Sequence, residues 1–264
     1  MGYDFRLGAN LRFNQQGQIL TRCNTDMPKK TLLYLSDNQL TVFRWEKRHL
    51  VNKINFSHDE TGWEAFSNYL SQHPHARFFL IVDSFSEDFR LELLPHLYAR
   101  DRKLMLERKL GQLYRTTPYY CAELQGRDSG SRKDDRYQFS ALTDAELLEP
   151  WLDCLENKHL ILHGISSPAH LTALLTKKLH WQADYQLVIT KTPGQLRQTF
   201  LEKGQLRFSR LVMLSEQANA LEALVGETQK MQTFLQNQRL LPRDVQLTIQ
   251  LVCSETQSTE LDHY

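Results

Sequence analysis

Hydrophobic positions follow two rhythms along this chain, and the same order of rhythms comes up twice. From Thr31 to Phe56 the chain reads TLLYLSDNQLTVFRWEKRHLVNKINF. β-Branched and aromatic residues sit in short runs broken by polar turns, which predicts three strands in succession. Trp63, Phe66 and Leu70 then share one stripe at helical spacing, predicting a helix over 60–72 that stops at His73-Pro74. About 150 residues later the pattern returns from Tyr185 to Met213. There Glu202-Lys203-Gly204-Gln205 supplies the glycine of a tight hairpin. A helix over 215–238 follows, presenting Leu221, Leu224, Val225, Thr228 and Leu235. Such an echo predicts a duplicated α/β unit with a cleft between the copies, and clefts of this kind usually hold a ligand.

Between and after the copies the pattern is less regular. Arg77–Val82 (RFFLIV) is a continuous apolar run, as expected of a strand covered on both faces. Pro95 suits the first turn of a helix over 95–115 with Leu97, Leu104, Leu110, Leu113 and Tyr114 near one stripe. Strands over 118–124 and 137–142 frame a polar loop, QGRDSGSRKDD. Thr143 and Glu146 have capping-box spacing and open a helix burying Leu147, Leu148, Trp151, Leu152 and Leu155. After a short strand at Leu160–Ile165, Ser167 and Pro168 start a helix whose apolar face is Leu171, Leu174, Leu175 and Leu179. Val245–Val252 is the last strand. The implied division is an N-terminal arm (1–30), a first half with an inserted helix and hairpin (31–183), a second, truncated half (184–253) and a tail (254–264).

Composition narrows the function classes. Hydrophobic residues make up 41% of the 264 and aromatics 10%, enough for a core and against disorder. A formal net charge of +1 gives no reason to expect nucleic acid or a membrane surface as a partner. Cys23, Cys121, Cys154 and Cys253 form no metal-type pair, so reduced thiols in a cytosolic protein are expected. No run reaches the roughly 20 apolar residues of a spanning helix.

A β-β-β-α-β unit occurring twice, in mixed sheets, is the plan of the actin-like, ribonuclease-H-like α/β fold. Within it the chain resembles the cytoplasmic assembly proteins of bacterial envelope machines: PilM-type proteins of type IV pili and the cytoplasmic domain of GspL-type proteins in type II secretion. The segments LLYLSDNQLTVFRW, HLVNKINF, FFLIVDSFSEDFRLELLP, HLILHGISSPAHLTALL and LRQTFLEKGQLRFSRL carry that resemblance. It implies a non-catalytic adaptor at the cytoplasmic face of the inner membrane that binds a segment of a protein partner. Membrane association would come through partners or through a segment absent from this chain.

The phosphate-binding turns of a working actin-like ATPase depart most. Each begins there with an acidic residue and a glycine. The glycine lets backbone N–H groups reach phosphate, and the carboxylate holds magnesium through water. Here the first turn is Leu35-Ser36-Asp37-Asn38-Gln39, with the acid but no glycine. The second, Thr190-Lys191-Thr192-Pro193-Gly194, has no acid, and Pro193 has no N–H to offer. Asp37 and Lys191 are therefore the candidate remnants of a nucleotide site, and neither ATP nor magnesium is expected as a cofactor. No Gly-Gly adenosine loop is present, and Gly226 falls mid-helix, where a packing role is expected. The alternative is an ATP-binding or ATP-hydrolysing enzyme of the same fold. A third reading, a ribonuclease-H-like nucleic-acid module, is opposed by the apolar first strand, Leu32-Leu33-Tyr34-Leu35.

Asp83, Glu87 and Asp88 follow the buried run; they are read as helix-start and turn carboxylates on a solvated loop, the alternative being a metal or general-base site. Arg100, Arg102, Lys103, Arg108 and Lys109 form a basic helix face that could bind an acidic partner, anionic lipid or nucleic acid, or is simply a solvated face with internal ion pairs, the reading slightly favoured. His73 and His75 lack further ligands at metal spacing, and no catalytic triad can be placed. Trp45, Trp63, Trp151 and Trp181 are expected in the core.

Overall fold

The computed structural model describes residues 30–46, 49–128, 132–181, 183–192, 194–214 and 220–253. The expected arm up to residue 29, the tail, the centre of the polar loop, Pro193 and the start of the last helix lie outside the described residues; Lys30, expected in the arm, opens the first strand. The division is into two compact units.

The first unit is built on β1 (Lys30–Ser36), β2 (Gln39–Glu46), β3 (His49–Ser57), α1 (Glu60–Ser71) and β4 (Arg77–Asp83). β1 pairs antiparallel with β2 and parallel with β4, and the sheet order is β3-β2-β1-β4-β8, where β8 is Leu162–Ser166. Leu33, Leu35, Leu40, Val42, Phe78, Leu80 and Val82 are buried on the sheet, against Phe66 and Leu70 of α1 and Trp151 and Leu155 of α3 (Glu149–Asn157). α1 starts where expected: Asp59 caps it, accepting from the Gly62 N–H at 2.8 Å. Gly62 is required there, because a Cβ would stand 1.9 Å from the Ser57 carbonyl oxygen.

Three expectations change over residues 83–149. The segment after β4 is a strand, β5 (Glu87–Leu94), so Glu87 and Asp88 open a strand rather than a helix or a solvated loop. Its Phe89, Leu91 and Leu93 alternate with polar residues, a period-2 signal in plain sight. The helix expected from Pro95 starts four residues later, as α2 (Ala99–Leu113). Thr143 does not cap a helix. Its N–H and its hydroxyl both donate to the Ser86 carbonyl, each at 2.8 Å, and α3 begins only after Leu148.

The polar loop is shorter than expected. β6 (Tyr120–Arg127) and β7 (Asp135–Leu142) run into it, joined by Arg127–Asp135 and Arg136–Asp128 pairs at 3.3 and 3.1 Å. β5, β7 and β6, in that order, make a three-stranded sheet.

The second unit repeats the meander as β9 (Tyr185–Thr192), β10 (Gln195–Glu202) and β11 (Gln205–Met213), followed by α5 (Ala220–Asn237) and β12 (Thr248–Val252). Its order, β11-β10-β9-β12, with β12 parallel to β9, matches β3-β2-β1-β4. Lys203 and Gly204 both have positive φ, 50° and 71°, as a two-residue hairpin of this hand requires. Leu187, Ile189, Leu196 and Phe200 pack with Leu224, Met231 and Leu235 of α5. The other sheet face carries α4 (Pro168–Lys178), but not through its leucines. Ala169, Thr172 and Thr176 are buried, while Leu174, Leu175 and Leu179 are exposed. The small residues let the helix lie close to the sheet, which the leucines opposite would prevent.

Candidate functional site

In open α/β sheets ligands collect beyond the carboxyl ends of parallel strands. In the first unit those ends are Ser36 of β1, Asp83 of β4 and Ser166 of β8; Ser36 stands opposite Asp83, and β8 ends opposite Ile81, two residues earlier. Asp37 starts the β1–β2 turn at this edge. Neither Asp37 nor Asn38 has a positive φ, so the turn closes without the missing glycine.

The Asp37 carboxylate is engaged. Oδ1 accepts from the Ser84 hydroxyl at 2.6 Å and Oδ2 from the Phe85 N–H at 3.3 Å. Ser84 is buried and its Oγ also accepts from the Ser86 N–H at 3.1 Å. The β1–β2 turn is thereby clasped to the turn between β4 and β5. Asp83 is buried and accepts from the Tyr34 hydroxyl. Asp88 accepts from the Tyr114 hydroxyl at 2.9 Å. Asp83 and Asp88, read from the sequence as parts of one cluster, thus serve separate tyrosines, and among the described residues no group of three or more His, Cys, Asp or Glu could hold a metal ion.

Lys191, the other candidate, is in the second unit. It stands one residue before the end of β9, half-buried and opposite Leu196 of β10. Counted from the two hairpin turns, Asp37-Asn38 and Pro193-Gly194 occupy equivalent places. The first copy therefore keeps an acid that is tied down, and the second has a proline in its stead.

Other reactive groups are muted by burial. The Cys121 thiol is pushed up to about 11 by burial, eased by its contact with Ser140, and Cys154 is raised by burial as well, so neither is a ready thiolate. Burial holds His170 of α4 down to about 4, which keeps the ring neutral. His73 is structural: its Nδ1 meets the Tyr69 carbonyl at 2.8 Å and its Nε2 meets Arg44 at 3.2 Å. Trp63 and Trp151 pack with His58, whose Nδ1 accepts from the Trp151 indole at 3.1 Å.

The basic stretch lies on α2, as expected, and its character is clear. Arg100, Arg102, Lys103 and Arg108 are exposed and Lys109 is half-buried; of the fifteen residues of α2 only Leu110 is buried. Lys103 pairs with Glu107 at 3.7 Å on the surface, a contact of little energetic weight. Arg100, Leu104 and Arg108 are four residues apart and fall on one line, with Leu104 53% exposed between the two guanidinium groups. Tyr98, just before the helix, is 77% exposed. Sequence reasoning identified the charges but placed Leu104 on the buried stripe. Only the observed orientation turns it outward.

No protein-family model matches the chain, and no curated protein does. Solved structures do resemble it, and three of them illustrate the likeness. One is the PilM-PilN type IV pilus biogenesis complex, at 12% identity over 87% of this chain and 84% of that one, with a TM-score of 0.56. Another is the cytoplasmic domain of EpsL, an inner membrane component of the type II secretion system of Vibrio cholerae, at 10% identity over 86% of each chain and a TM-score of 0.49. The third is a Bacteroides thetaiotaomicron protein with an actin-like ATPase fold, at 9% identity over 89% of this chain and 86% of that chain, with a TM-score of 0.48. At these identities the likeness speaks for the fold alone. The chain has an actin-like α/β fold with a duplicated β-β-β-α-β plan.

Proposed function

We propose that this chain is a non-catalytic actin-like adaptor on the cytoplasmic side of an inner-membrane pilus or secretion assembly, where it binds a segment of a protein partner. The observation that carries this reading is the engagement of Asp37. A carboxylate that holds Ser84 and the Phe85 N–H is poorly placed to order the water shell of magnesium. The fold likeness to a protein solved in complex with a pilus partner supports the adaptor role. No helix among the described residues is long and apolar enough to cross a membrane; in this reading, attachment comes through partners or a segment absent from this chain.

The surface offered for the partner is α2, with Arg100, Arg102, Lys103, Arg108 and Lys109. Arginine suits protein interfaces because its planar fork binds carboxylates in pairs, and exposed tyrosine and leucine supply the apolar centre. Neither nucleotide nor metal takes part in this role, although Lys191 would still draw a phosphate weakly. The test is co-purification of the wild-type chain and an Arg100→Glu/Arg108→Glu variant from a membrane extract. The reading expects one or a few acidic assembly proteins with the wild type and their loss with the variant. An identical set of partners would remove α2 from the account.

A further inference from the structure

The two units differ at one edge. In the first, β8 adds in parallel to the outer side of β4, with Leu162 opposite Phe78 and Ile165 opposite Leu80. In the second, no described residue pairs with β12 on the side away from β9. The registers make the two edges directly comparable. Leu33 and Ile189 occupy equivalent places in β1 and β9, counted from the hairpin turns, and they pair with Leu80 and Leu251. Phe78 is in the same way equivalent to Ile249. Phe78 and Leu80 are 0% and 2% exposed, whereas Ile249 and Leu251 are 49% and 36% exposed. Phe78 and Leu80 are covered by α1 and α3 as well as flanked by β8; beside β12 no strand among the described residues takes the place that β8 takes beside β4.

That edge also lacks the devices that keep edge strands apart. Natural edges carry charges, prolines or bulges. β12 reads TIQLV, with no charge and no proline, and its register with β9 is unbroken. The opposite edge, β11, carries Arg207 and Arg210 and has a register shift against β10. We infer that β12 is a docking edge for an extended segment of another polypeptide, which adds as a fifth, parallel strand in the manner of β8 on β4. The template fixes its chemistry. It is uncharged where it pairs, with apolar side chains opposite Ile249 and Leu251, two or three residues apart. Its backbone supplies the hydrogen bonds and the apolar pair sets the register. A single parallel strand is the occupant that the β4–β8 pairing in the first copy models.

This surface is distinct from α2, and its test stands or falls separately from the adaptor reading. The probe is a labelled synthetic peptide, LILHGISS, that copies Leu160–Ser167 around β8. It is titrated into the full chain by fluorescence anisotropy, with hydrogen exchange read over 248–252. Saturable binding is expected, with slower exchange at Thr248–Val252, no binding by a scrambled peptide, and affinity weakened by about tenfold or more in Leu251→Lys. Leu251→Lys should shift the urea midpoint of the free chain only slightly, far less than Leu80→Lys does, which separates lost docking from lost folding. Three results overturn the inference: no saturable binding, binding that Leu251→Lys leaves intact, or β12 amides in the free chain as slow as those of β9, which would mean that the chain fills its own edge.

Discussion

Replacing Asp37 by alanine separates the clasp from a nucleotide ligand. In the structure its carboxylate accepts one short bond, from the Ser84 hydroxyl at 2.6 Å, and one long bond, from the Phe85 N–H at 3.3 Å. A hydrogen bond to a charged acceptor contributes about 1.5–3 kcal/mol, and the long one less, so the loss should be about 2–3 kcal/mol. For a chain of this size that is a fall of about 5–10 °C in Tm. Asp37→Asn keeps an acceptor oxygen but not the charge and should lose about half as much. Ser84→Ala removes the same bond from the other side. The double variant should therefore fall short of the sum of the single ones by about 1 kcal/mol or more. Thermal and urea melts by circular dichroism read all four proteins. Wild-type stability in Asp37→Ala, or strict additivity with Ser84→Ala, would refute the clasp and return Asp37 to the list of free ligands.

Three further expectations follow from other parts of the molecule. Gly62→Ala should cost about 3 kcal/mol in urea melts, since its Cβ meets the Ser57 backbone at 1.9 Å and α1 would have to lift from β3; a neutral result would mean that α1 sits further out. His170 is held neutral by burial at about 4, below its ordinary 6.5, so the unfolded chain takes up a proton first as pH falls. The stability it contributes is complete above about pH 6.5 and lost by pH 4, a loss of about 3 kcal/mol that His170→Leu should flatten in pH-dependent melts. Leu80→Lys should cost about 4 kcal/mol or more by burying an unpaired charge, whereas the equivalent Leu251→Lys should change stability by less than about 1 kcal/mol; equal losses in urea midpoints would contradict the open edge.

The duplicated meanders were legible because β-branched and aromatic residues, polar turns and the Lys203-Gly204 hairpin all agree locally. The α1 stripe was legible for the same reason, since Phe66 and Leu70 do face the sheet. Elsewhere the deciding partner lies far along the chain. Nothing near Thr143 shows that its hydroxyl is taken by Ser86, 57 residues earlier. Likewise, nothing near Asp37 shows that Ser84 will hold it. In α4 the largest side chains look like the buried face, but close helix–sheet packing selected Ala169 and Thr172 instead. β5 differs for another reason: its alternation is present in the sequence, but the acids at its start have the look of a helix-start signal. Of the candidate site, residue identities were readable, but whether a carboxylate is free or engaged depends on three-dimensional neighbours.

The central claim is that this fold does no nucleotide chemistry here, and phosphate release from magnesium ATP by the full chain tests it most directly. The expected result is no turnover above that of Asp37→Ala under the same conditions. Magnesium-dependent release that disappears in Asp37→Ala would contradict it, because the clasped carboxylate would then be serving a metal.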